Sequence, residues 1–365
     1  MRKSKIDYLF LFSVLALTAI GLIMIFSASP TMALKSGDPL YFIKRHIVYL
    51  LLGFSALYFG LRIDLTKLKR WSIWIFVGSL VLLLLVFIPG VGRKVLGASR
   101  WIDLVFISFQ PSELIKLTMI LLLANLLAKM GKGITDFLKG LGPLLLLVGA
   151  VAAIIIKQPD LGTAIAIFST SFIMLFAAGA KLFHLSLIAG VGVAGIIVLS
   201  FTSAYRFRRL VAYLDPWKDP QGIGFHIIQS LLAVGSGGLF GLGLGASRQK
   251  FFYLPQQFTD FIFAILCEEL GFIGGAAVIG LFIFFAGRGI RIAFLARDDF
   301  SYLLATGLIG WLTLQAIMNL MVVVGLLPTT GIPLPFISYG GTATIISLFS
   351  VGILLNISSQ TRKVN

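Results

Sequence analysis

Of 365 residues, 58% are apolar and only 12% charged, about half the ~25% charge of a soluble domain, which excludes a water-soluble fold and points to a bilayer. Thirty Lys and Arg against fourteen Asp and Glu give a net charge of +16. With no RNA- or DNA-binding pattern beside that charge, nucleic acid is excluded as a partner in favour of anionic membrane lipids or a phosphorylated lipid. The single cysteine, Cys267, excludes an internal disulfide framework and a cysteine-based metal cluster.

Behind a basic N-terminus, the apolar run 8–28 is too long for the h-region of a signal peptide and reads as a first membrane span. Further runs near bilayer length follow at 47–61, 72–88, 114–128, 141–156, 162–180, 185–201, 261–286, 302–326 and 336–357. The expected fold class is all-α: a polytopic integral membrane protein of about ten transmembrane helices, a single domain over 1–365. With both termini cytoplasmic, the inner segments carry sixteen basic residues and the short outer loops seven, as the positive-inside rule favours. The longest loop, 202–259, between spans seven and eight, then lies outside. It holds six more basic residues against that rule, which marks them as functional candidates.

Span four opens with Ser112-Glu113-Leu114-Ile115-Lys116. Glu113 and Lys116 are neighbours at i,i+3, and Lys116 has two open readings, snorkelling towards a phosphate or towards water. Asp160 stands at the start of span six, where a carboxylate suits a helix N-terminus. In the long loop, the apolar residues at 227, 228, 231 and 232 recur at helical spacing and predict a short amphipathic surface helix. Arg206, Arg208, Arg209, Arg248 and Lys250 suit a diphosphate; attraction to headgroups, or pairing with Asp215 and Asp219, is the plainer reading. Asp260 sits where the loop enters span eight, either as a carboxylate favoured by a helix N-terminus or as a general base at the water–lipid boundary. Glu268 and Glu269, roughly 12–13 Å further along the same predicted helix, read first as a buried polar anchor and second as a proton path. The three histidines (His46, His184 and His226) show no metal-ligand spacing, and no nucleophile–His–acid triad is evident.

Several stretches recur in order along most of the chain: GASRWI (97–102), FQPSELIKL (109–117), QPDLGTA (158–164), AYR..RL with LDPW.DP (204–220), GSGGLFG (235–241), LP…TDFIFA (254–264), EELG (268–271) and GIPLPFISYGG (331–341). Together they resemble the SEDS family (shape, elongation, division and sporulation proteins). The uninterrupted GLGASRQKFFYLP and the tryptophan of LDPWKDP look more like its FtsW branch than its RodA branch. The resemblance implies a ten-helix peptidoglycan glycosyltransferase in the bacterial cytoplasmic membrane, serving cell division or cell shape. Its substrate would be lipid II, an undecaprenyl-pyrophosphate-linked disaccharide-pentapeptide, and its partner a class B penicillin-binding protein that crosslinks the product. Asp260 matches the aspartate of the family's TDF motif, which implies the catalytic base of an inverting glycosyl transfer. Arg206, Arg209, Arg248, Lys250 and Lys116 would bind substrate, with Glu113, Glu268, Glu269 and Ser338 as supporting polar residues. Gln256 and Phe258 stand where the family commonly has glutamate and histidine, so a relay from that histidine is absent. No metal site or cofactor is indicated; a divalent cation is compatible with a diphosphate but nothing in the residues calls for one. A lipid II flippase, using Lys116, Glu268 and Glu269, and a non-catalytic scaffold for a transpeptidase are the alternatives.

Overall fold

The computed structural model describes residues 6–33, 37–95, 98–104, 107–202, 204–250 and 257–360. The chain is a multi-pass helical membrane protein, and each expected apolar run coincides with a helix. These are α1 (Tyr8–Ala28), α3 (Tyr41–Arg62), α4 (Leu65–Leu85), α5 (Pro111–Met130), α6 (Gly142–Lys157), α7 (Leu161–Ala177), α8 (Leu182–Phe201), α11 (Ile262–Phe294), α12 (Asp299–Val323) and α13 (Gly341–Ser359). The short α2 (Pro30–Ala33) follows α1, while α9 (Ala204–Leu214) and α10 (Phe225–Ser236) belong to the long loop. Among the described residues, nine helical stretches are long and apolar enough to cross a membrane; α7, with 17 residues, is shorter.

The all-α fold class holds, with one small addition in a loop. The segment between α4 and α5 forms a small antiparallel meander, β1 (Gly92–Val95), β2 (Ala98–Leu104) and β3 (Ile107–Phe109), in the order β1-β2-β3. The three short strands pair their backbone N–H and C=O groups with one another.

α5, α12 and α13 lie at the centre, whereas α8 has most of its apolar surface bare, as suits contact with lipid. Packing at the centre depends on small residues. A Cβ at Gly352 of α13 would come within 2.2 Å of the Leu57 carbonyl oxygen of α3, so glycine sets how closely these helices approach. Asn356 ties the same pair, its Nδ2 donating to the carbonyls of Gly60 (3.1 Å) and Ile63 (2.7 Å).

α11 is broken at Gly271, whose φ of +69° suits a residue without a Cβ. The loop 237–243 fills the break. Leu242 and Gly243 donate backbone N–H groups to the carbonyls of Glu268 and Glu269 (both 3.0 Å), while Phe272 and Ile273 donate to Gly238 (2.8 Å) and Leu239 (3.2 Å). A Cβ at Gly237 would lie 1.9 Å from the Cys267 carbonyl oxygen. The glycine-rich GSGGLFG run is therefore what permits this backbone-to-backbone contact, which satisfies groups that lipid cannot. The expected surface helix is α10, but it packs on α11 with Ile227, Ile228, Ser230 and Ala233 buried and Leu231 and Leu232 exposed. Ser230 Oγ donates to the Val323 carbonyl of α12 (2.7 Å).

Candidate active site

α11 begins at Ile262, so Asp260 lies in the turn before the helix and does not cap it. Helical phase therefore does not relate it to Glu268 and Glu269. The turn 257–261 is held from the α12–α13 connection. Tyr339 N–H donates to the Phe258 carbonyl (2.9 Å), and Ser338 Oγ donates to that of Thr259 (2.5 Å) while accepting from Leu334 N–H (2.8 Å). Asn319 of α12 donates through Nδ2 to the Asp260 carbonyl (2.7 Å) and to that of Ile332 (2.8 Å). Phe258, where the family commonly has histidine, is buried against Phe42 and Tyr339 with ring centroids 4.7 and 5.5 Å away.

Backbone anchoring leaves the Asp260 carboxyl to line a cavity of about 780 Å³ shared with Arg208, Arg209, Asp219, His226 and Asn319. Arg209 donates to the Thr329 carbonyl (2.8 Å), which fixes its guanidinium at the cavity wall. Burial raises the Asp260 carboxyl to about 6, against the lowering pull of Arg209; Asp160 adds to the rise and Arg100 opposes it. Asp160 and Arg100 form one unit: Arg100 stands 4.0 Å from the Asp160 carboxylate and donates to the carbonyls of Gln158 (3.0 Å) and Pro159. Asp160 caps α7, as expected, accepting from Thr163 N–H (3.1 Å). The site thus offers a carboxylate that binds a proton near neutral pH, with cations beside it, in a concave and partly apolar wall. Such a setting suits base-assisted transfer from a diphosphate-bearing donor.

The other candidate residues are distributed differently. Lys116 is buried on α5, pairing with Glu113 (2.8 Å), donating to Gln315 Oε1 (3.1 Å) and lying 5.1 Å from the Trp311 ring centre. It is not among the cavity's lining residues. Lys250 is also buried: its ammonium pairs with Glu269 (3.2 Å) and donates to the Gly245 carbonyl (2.6 Å). Glu269 further accepts from Ser27 Oγ (2.7 Å), and Glu268 accepts from Ser247 Oγ (2.5 Å) and Arg248 N–H (2.9 Å). The two glutamates anchor loop 245–250 to α11, the first of their two readings. Arg248 has an exposed side chain away from the cavity lining. Arg206 lies on α9, but its side chain, like residues 251–256 with Gln256, falls outside the described residues. Sequence reasoning missed Asn319, Arg100 and the cavity position of His226. A lone Asn in the apolar run of span nine was the available sign for the first, since amides at such depth are costly without partners.

The FtsW/RodA/SpoVE family model, described as a cell cycle protein, matches residues 7–363, and the chain belongs to this family. It is 46% identical over 362 residues to the probable peptidoglycan glycosyltransferase FtsW of Geobacter sp. (strain M18), covering 99% of each. Identity, length and coverage are the same for the stage V sporulation protein E of Bacillus subtilis (strain 168). Among solved structures, it resembles a chain of a peptidoglycan synthase complex described as coordinating polymerization and crosslinking, with a TM-score of 0.81, 30% identity and 97% coverage of each chain. The rod shape determining protein RodA of Thermus thermophilus matches with a TM-score of 0.72 at 28% identity, over 98% of each chain.

Proposed function

We propose that this chain is a peptidoglycan glycosyltransferase that polymerises lipid II at the outer face of the cytoplasmic membrane, with a class B penicillin-binding protein as partner. The observation that carries the reading is the Asp260 carboxyl lining the same cavity as Arg208 and Arg209, where burial raises its pKa to about 6. In the reaction, the acceptor sugar's 4-hydroxyl attacks the donor's anomeric carbon while its proton passes to Asp260. The bond from that carbon to the diphosphate breaks, and the electron pair leaves with undecaprenyl pyrophosphate. Arg209, with Arg208, stabilises the charge growing on the leaving group. A base so placed contributes on the order of 10²–10⁴-fold. The flippase alternative is weakened by its own candidates: Lys116, Glu268 and Glu269 each have internal partners, and none lines the cavity. The test is glycan formation from lipid II by the purified full-length chain, with and without the transpeptidase. Translocation or recruitment without any polymer would overturn the reading.

A further inference from the structure

His226 is the second residue of α10 and lines the cavity that holds Asp260. Its ring stacks on Phe261, the residue after Asp260, with centroids 6.1 Å apart and planes 17° from parallel. Nδ1 is buried without a hydrogen-bond partner, a state that few buried polar atoms adopt. Of the two ring nitrogens only Nδ1 is buried in this way among the described residues, so Nε2 is the nitrogen open to the cavity that the side chain lines. Burial holds the imidazole below its usual pKa, and the nearby Arg209 charge adds to the effect. The ring is accordingly neutral at pH 7, with one N–H donor and one acceptor. An orphaned N–H is the rarer kind of unpaired group, which puts the proton on Nε2 and the lone pair on the buried Nδ1.

We infer that His226 is a substrate-contacting residue whose Nε2–H donates to a diphosphate oxygen of the lipid-linked donor. The inference rests on the reading of this cavity as the polymerisation site. The charges facing the imidazole select the partner. Arg209, whose charge acts on the imidazole, lines the same cavity, so an anion drawn to it enters the space that His226 lines, and phosphate oxygens are pure acceptors that need a donor. Asp219 and Asp260, the cavity's carboxylates, accept and do not donate when ionised. A neutral donor also tightens the grip without adding a third positive charge that would lower the Asp260 carboxyl further.

Two substitutions separate this contact from packing. His226→Phe keeps a ring to stack on Phe261 but removes the donor; His226→Gln keeps a donor and does not titrate. Full-length variants, with the transpeptidase present, are assayed for KM and kcat on lipid II, for melting temperature, and for inhibition by undecaprenyl pyrophosphate, which carries the diphosphate without the sugars. His226→Phe should raise both KM and the inhibition constant about tenfold, the loss of one hydrogen bond to a charged group, with kcat little changed. His226→Gln should stay within about threefold of the wild type, since a donor is retained. Unchanged KM in His226→Phe overturns the inference, as does a raised KM with an unchanged inhibition constant. Equal loss in both variants with lowered melting temperatures assigns the ring to packing and overturns it too. Should His226→Phe fold poorly, His226→Ala takes its place under the same criteria. A wild type that makes no glycan would instead defeat the polymerase reading.

Discussion

Replacing Asp260 with asparagine should separate catalysis from stability in opposite directions. The turn is held through the carbonyls of Phe258, Thr259 and Asp260, so Asp260→Asn keeps the anchoring and alters only the carboxyl. In the folded protein that carboxyl is raised from 3.8 to about 6, chiefly by burial. At ~1.4 kcal/mol per pH unit, and allowing for partial exposure, holding it ionised costs the folded state about 2–3 kcal/mol. The sign follows from linkage. A carboxyl with a raised pKa binds its proton more tightly in the folded state, so the associated stability is present below about pH 4 and lost as pH rises through 6. Asparagine carries no such cost. Asp260→Asn should therefore melt higher than the wild type at pH 8, and the difference should vanish near pH 4. Polymerisation should fall by at least ~10² while lipid II binding persists. The assay is glycan per unit of purified protein beside thermal melts at both pH values. Near-normal product from a stable variant would refute the base assignment, and a lower melting temperature at pH 8 would refute the burial argument.

A Cys267→Ser chain with one new cysteine at Trp217, which is exposed, should react with an impermeant reagent on intact cells; labelling only after lysis would reverse the topology. Arg209→Ala should raise KM for lipid II about tenfold or more, as a lost charged contact does, and an unchanged KM would return Arg209 to a structural role. Lys250→Met leaves Glu269 unpaired in the interior and should destabilise the protein by about 3–5 kcal/mol, read as a large drop in melting temperature; an unaltered melt would contradict the pairing. The wild-type rate should rise with pH through about 6, because the base must be ionised. Arg100→Gln should move that midpoint up and Asp160→Asn, which can still cap α7, should move it down. Midpoints that stay fixed in both variants would show that the pair does not act on Asp260.

The spans were readable because bilayer-length apolar runs have few other uses, and Asp160 was readable as a cap because it stands directly before Leu161-Gly162-Thr163. The β meander was not, since its strands are three to seven residues long and carry no sustained alternation. Within the site, Asp260 and Arg209 were legible from charge placed against the topology rule and from the TDF motif. Lys250 reads as substrate-binding from the sequence because a basic residue in an external loop looks available. Its pairing with Glu269, 19 positions away, arises from the fold-back of 237–250 onto α11, which no local pattern encodes. For Lys116 the local half was legible, since Glu113 pairs with it at i,i+3, whereas the second partner, Gln315 on α12, is 199 residues away. The Asp260-to-glutamate spacing presupposes one continuous helix from Asp260, which the start of α11 at Ile262 undoes.

The break in α11 also bears on how the protein is made. A helix interrupted at Gly271 enters the membrane with the carbonyls of Glu268 and Glu269 and the N–H groups of Phe272 and Ile273 lacking their usual partners, each at a cost of several kcal/mol in hydrocarbon. The segment that satisfies them, 237–243, is synthesised before α11 emerges from the ribosome. Translation order thus delivers the filler ahead of the gap, and the loop can dock as the span arrives. Moving this segment to the C-terminal side of α11 by circular permutation would leave a half-built span exposed to lipid and to membrane quality-control proteases.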